Sequence, residues 1–297
     1  MLVNGCDCSI TIKTTHCEMD IPYSEETIRE AFYLLQEEAN IEGNGTCKAI
    51  GKSCGVTGCV VTPLTIGTVP LLLFLAMGSA GLPVFVSETR NLYKHQLNLS
   101  PMEDTESFSF IQYRGSSNNE QLSINNGRRL FEGCRVKAFE LRILRDEAIK
   151  LKLDIYGERA AAAYPYLDEF ESSKGERFSG DFVSYRINST EQTNIYGVTL
   201  SVTKEGGTKS ELWIKRVLNS GDDLPNVIDE LTITAVLLRD KYEYRHYGTF
   251  RITLKRLMLS SDETIIDSVD AVMGPLRYYV AGTVTAEIFT TGEGELA

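Results

Sequence analysis

"LFEGCRVKAFELRILRDEAIKLKLDIYGE" (Leu130–Glu158) decides the fold. In its first half Phe139, Leu141 and Ile143 fall on one face of an extended chain, with Glu140 and Arg142 on the other. After the polar "RDEA" turn, Ile149, Leu151, Leu153 and Ile155 alternate with Lys150, Lys152 and Asp154. A period of two over both arms predicts an antiparallel hairpin with one buried and one wet face.

The same device recurs on either side. "SFSFIQY" alternates through Phe108 and Phe110, "YGVTLSV" through Tyr196, Val198, Leu200 and Val202, and "FRITLK" through Phe250, Ile252 and Leu254. "VAGTVTAEIF" follows with Val280, Val284, Ala286 and Ile288. Short strands at this density predict a mainly β chain, an antiparallel sandwich or barrel with one or two short helices, and not alternating βαβ units. Two stretches interrupt the rhythm. Residues about 160–194 read as a long polar excursion, and Asn219–Asp229 as a tight acidic connection. Neither is long or biased enough for a disordered linker.

With 297 residues, 42% of them hydrophobic and 24% charged, the chain can bury a sizeable core. Its formal charge of −11 argues against a surface built to grip nucleic acid. The most apolar run, Val69–Met77 within "TVPLLLFLAMGSAGLPVFV", is about half of the roughly 20 residues that cross a bilayer. It predicts a buried helix and no membrane. Five residues before Cys6 are too few for an apolar export segment, so a cytoplasmic, soluble protein is expected.

The N-terminal region, residues 1–62, reads as an arm distinct from the β domain of residues 63–297. "YSEETIREAFYLLQEEAN" predicts a helix: Ser24 caps it, Glu25 and Glu26 suit its N-terminus, and Ile28, Phe32 and Leu35 form a stripe. "GNGTCKAIGKSCGVTGC" (Gly43–Cys59) contains Gly51-Lys52-Ser53, the tail of a phosphate-cradling loop. That loop requires glycine six positions before Lys52, where Thr46 stands, and it should follow a buried strand. Nucleotide binding through Lys52 fails on both counts. Cys6, Cys8, Cys17, Cys47, Cys54 and Cys59 crowd this region beside His16, a donor set zinc accepts. Their spacings lack the paired two-residue gaps of chelating motifs, so no metal site is assigned. Buried reduced thiols, disulfides or a metal-binding module all stay open.

A catalytic inventory is poor. His16, His95 and His246 are the only histidines, none within a nucleophile, metalloprotease or acid–base motif. His246 reads as structural, and Asp262 and Glu263 as a solvated turn. No enzyme and no cofactor are expected.

From about Leu64 onward the chain resembles the major tail tube proteins of long-tailed bacteriophages. The elements that carry this come in order: "VPLLLFLAMGSAGLP", "YKHQLNL", "ESFSFIQYRG", the opening stretch, "YGVTLSVTKEGG", then "LPNVIDELTITAVLLRDKYEYRHYGTFRITL". The family's aromatic-x-Gly-Cys-x-Val opening and Tyr-Gly exit match Phe131, Gly133, Cys134, Val136, Tyr156 and Gly157. Together they cover roughly three quarters of the chain, the span of one β domain. The region up to about Val61 is larger than the family's usual arm.

The resemblance implies a β subunit that assembles with copies of itself into hexameric rings, stacked into a hollow tube in the virion tail after synthesis in the host cytoplasm. It implies a tape-measure protein and tail-end proteins as partners, and genomic DNA that passes through without specific binding. An acidic bore would let a duplex slide, as a basic one would not. The lysines and arginines of the hairpin would then face elsewhere, in salt bridges between subunits. The alternatives are a distal or terminator ring, the inner tube of a contractile device, or a cysteine-based metal-binding module.

Overall fold

In the computed structural model, Arg128–Leu144 and Lys150–Gly157 form the expected hairpin, with Phe139 opposite Leu153 and Leu141 opposite Leu151. Every apolar position named for its inner face is buried. The structure describes residues 8–15, 17–35, 50–87, 92–114, 128–161, 176–217, 223–237, 249–260, 266–267 and 272–291. His16, Cys6, Cys47, His246, Asp262 and Glu263 lie outside them, as does the Asn219–Asp222 part of the acidic connection.

The elements run in this order. First come β1 (Cys8–Lys13), β2 (Glu18–Asp20), β3 (Glu25–Glu26), β4 (Arg29–Leu35) and β5 (Ile50–Pro63), then α1 (Val69–Met77). Next are β6 (Gly78–Ala80), β7 (Val84–Ser87), β8 (Leu92–Leu99), β9 (Phe108–Arg114), the hairpin β10 (Arg128–Leu144) and β11 (Lys150–Gly157), and β12 (Arg159–Ala161). The rest are β13 (Val183–Ile187), β14 (Thr190–Gln192), β15 (Ile195–Thr203), β16 (Lys209–Val217), β17 (Val227–Val236), β18 (Thr249–Leu259), β19 (Ile266–Asp267), β20 (Val272–Val280) and β21 (Val284–Thr291).

Antiparallel ladders join these strands into one sheet that curls round a common core. One layer runs β4–β5–β11–β10–β15–β16–β20, and a second runs β14–β13–β17–β18–β21–β8 with β7 outermost. β18 belongs to both. Its first half pairs with β21, and after Arg256, at φ 54, Leu257–Leu259 pair with β20. A residue in left-handed conformation turns the strand, and the turn carries it from one layer to the other. Phe178 meets Phe250 edge-on at 5.0 Å, tying the hairpin's tip to the second layer.

The helix is where the leucine run placed it. Pro70 suits its first turn, and Gly78, left-handed at φ 102, ends it by donating its N–H to the Phe74 carbonyl. Being apolar all round, it is buried between β8, β10 and β21. Each fully buried leucine contributes about 2 kcal/mol. No helix among the described residues is long and apolar enough to cross a membrane.

Three expectations are corrected. The helix expected over Tyr23–Asn40 is instead β3 and β4, with residues 36–40 outside the described ones. Glu25 and Glu26 lie opposite Val61 and Val60, and Arg29 opposite Thr57, so pairing with the long β5 overrides the local helical pattern. The described residues of the expected arm, 1–62, are also not set apart from the β domain. β5 passes through position 62 unbroken along β11, and Ile10, Ile12, Ile28, Val56 and Val60 belong to the common core. Finally, the excursion at about 160–194 is in its described part a folded element. β13 buries Tyr185 and Ile187 against β17, and β14 turns back on it.

Candidate functional surfaces

The six residues singled out from the hairpin ends come together at one corner. At Phe131–Cys134 the register of β10 with β9 shifts, and beyond it β10 enters the ladder with β15. Gly133 takes φ 64, a conformation glycine adopts without cost, and a Cβ there would stand 2.6 Å from the Glu158 carboxyl carbon. Gly157 lies so close to Cys134 that an added Cβ would sit 3.0 Å from Sγ. Phe131 packs on Phe110 at 6.3 Å, Val136 pairs with Ile155, and the half-exposed Tyr156 lies opposite Arg135. Arg135 in turn donates to the Met102, Glu103 and Thr105 carbonyls, pinning the corner to the turn before β9. Burial pushes the Cys134 thiol up to about 12, which leaves it protonated and unreactive. The arrangement is architectural: it bends a long hairpin.

The cysteines and histidine resolve similarly. Cys17, Cys59 and Cys134 are unbridged, and no group of three metal-ligating side chains occurs among the described residues. Cys8 and Cys54 fall on β1 and β5. Gly51-Lys52-Ser53 lie in β5, Lys52 opposite Tyr33, an extended geometry whose amides point alternately to either side and do not converge on a phosphate. His95 is buried in β8, and desolvation lowers its pKa.

Two surfaces stand out that the strand patterns only half revealed. The first is a groove of about 700 Å³ on the wet face of the second layer. One row crosses five strands in direct register: Gln96, Glu287, Arg251, Thr234 and Ser184. Most of its charges are paired. Glu287 takes Lys94 Nζ on one oxygen and Arg251 Nη1 on the other, both at 3.0 Å, and Lys255 lies 3.8 Å from Glu230. Between them Thr232, Thr253 and Thr285 form a hydroxyl row. Arg186 also lines the groove, with no ion pair among the described residues, so the wall is polar and carries more positive than negative side chains.

The second is the outer face of the first layer. Two basic residues of the hairpin find carboxylate partners inside the chain: Arg142 meets Glu147 at 3.3 Å and Lys152 meets Asp154 at 3.7 Å. Towards β20 the face turns aromatic. Arg277 lies 5.0 Å from the ring centres of both Trp213 and Tyr279, and it grips Glu211 through two nitrogens at 2.8 and 3.1 Å. Cation–π stacking and a bidentate carboxylate hold these side chains in place at the surface. The signal for both surfaces lay in the polar half of each strand's alternation, which a search for cores passes over.

No protein-family model matches the chain, and no curated protein does.

Proposed function

We propose that this chain is the structural subunit of a bacteriophage tail tube, polymerising as stacked rings round a hollow channel. The reading rests on the order of motifs from Leu64 onward, and one structural observation carries it furthest. The outermost strands of the second layer are short. β7 is four residues and β14 three, and among the described residues each is paired along one edge only. Unpaired edges are a hazard to a monomer and a means of assembly to an oligomer. A contact repeated head to tail closes into a ring when its rotation closes.

The groove face suits the bore. Gripping a duplex requires cations free to replace the counterions of its phosphates. Here Lys94 and Arg251 share Glu287 and Lys255 lies near Glu230, so of the lining cations Arg186 alone has no ion pair among the described residues, and hydroxyls with mostly paired charges would meet the DNA and limit its grip. Of the hairpin's basic residues, Arg142 and Lys152 are paired within the chain, and Lys137, Arg145 and Lys150, which form no ion pair among the described residues, would be available to a neighbouring subunit. Catalysis plays no part in this reading. Negative-stain microscopy of the purified chain tests it. Long tubes with a stain-filled channel are expected; single rings that never stack would point to a distal or terminator ring instead.

A further inference from the structure

The described residues expose two apolar patches. Leu82, Val84, Phe85 and Val86, in and before β7, are between 47% and 89% exposed. Val227, Met258 and Tyr279 are between 43% and 57% exposed, and they are immediate cross-strand neighbours on β17, β18 and β20. The second patch continues into the fixed Arg277–Trp213 stack, the residue types that dominate protein–protein contacts.

The two patches cannot cover each other within one chain. Val84 pairs with Lys94, Lys94 with Phe289, and Phe289 with Thr249, so β7 lies level with the start of β18. Met258 lies 258 − 249 = 9 residues further along that strand, about 30 Å at roughly 3.3 Å per residue. One subunit thus carries a protruding apolar strand at one end and an apolar row at the other.

We propose that the β7 segment of one copy docks on the Val227–Met258–Tyr279 row of the next, making a head-to-tail contact between copies of this chain. The seven side chains together remove on the order of 700 Å² from water, nearly half of the roughly 1,600 Å² that a standard stable interface buries. That is the share expected of an apolar centre within a polar rim. The row is also open to an incoming strand. β13 ends at Ile187, opposite Leu231, and the last bonds along this edge join Asn188 to Glu230, so Val227 extends past the edge of β13. The contact rests on the tube reading only for what the polymer is; the patches stand without it.

Two double variants test this, Leu82→Glu/Val86→Glu and Val227→Glu/Met258→Glu. Leu82→Ser and Met258→Ser replace them should either lose the wild-type far-UV spectrum. Light scattering is recorded at the concentration where the wild type polymerises. Each variant alone should be monomeric. Mixed, they should give a 1:1 dimer that grows no further, because one intact strand meets one intact row and the remaining ends are blocked. Polymers from either variant alone, or a mixture that stays monomeric, overturn the contact. If both variants still form hollow tubes, the contact is wrong and the tube reading survives. If the wild type forms solid filaments that the variants abolish, the contact holds and the tube reading falls. A wild type monomeric at every concentration removes both.

Discussion

Lys204 offers a sharp test of the packing at the end of α1. It is 1% exposed, and its ammonium donates to the carbonyl of Met77, the last residue of the helix, at 3.3 Å. A cation at a helix C-terminus is favourable, but burial outweighs this and lowers its pKa from 10.5 to about 8. Between those values the unfolded chain holds the proton and the folded one does not, so stability rises with pH there and the full cost is felt below about 8. At about 1.4 kcal/mol per pKa unit, the charged lysine costs the fold about 3 kcal/mol at pH 7 and under 1 kcal/mol at pH 10. Lys204→Met keeps the length and removes the charge, at the loss of one hydrogen bond of about 1 kcal/mol. The variant should therefore be about 2 kcal/mol more stable than wild type at pH 7, and the advantage should vanish or reverse by pH 10. Urea unfolding, followed by the fluorescence of the single tryptophan, Trp213, measures both values. A Lys204→Met variant less stable than wild type at pH 7, or a difference that does not change with pH, would refute the reasoning.

Other expectations follow from close contacts. Gly180 packs so tightly under the hairpin turn that a Cβ would lie 1.9 Å from the Leu144 carbonyl oxygen; Gly180→Ala should cost about 3 kcal/mol or more, read from its urea midpoint. Gly133→Ala meets only the flexible end of Glu158, so its cost is that of a left-handed alanine, about 1–2 kcal/mol, and it should be the milder of the two. Cys134, raised from 9.0 to about 12, keeps its proton in the fold after the unfolded chain has lost it, so its contribution to stability should fall as pH rises from 9 to 12. At pH 8 mass spectrometry should find Cys134 unlabelled by maleimide in the native chain and labelled in urea.

The strands that bury one face were legible because their alternation is strict: Phe139–Ile143, Ile149–Ile155 and Phe250–Leu254 all fall inside as the pattern requires. β13 was passed over: Val183, Tyr185 and Ile187 alternate, but the glycines and serines before them concealed the period. β4 was not legible. Ile28, Phe32 and Leu35 fit a helix, and only the remote β5, which no local pattern announces, makes Arg29–Leu35 a strand. The hairpin's conspicuous glycines and cysteine were visible but ambiguous, since a bend and a binding site draw on the same residue types. Their geometry assigns them to the bend. The paired charges of the groove and the Arg277 stack depend on registers between strands far apart in sequence, which single-strand patterns do not contain.

The central claim is that copies of this chain complete one another's sheets into a pipe. Cryo-electron microscopy of the concentrated, purified chain tests it most directly: the account predicts stacked rings about an open channel lined by the Gln96–Ser184 row. A dispersed population of single chains, or filaments without a bore, would contradict it.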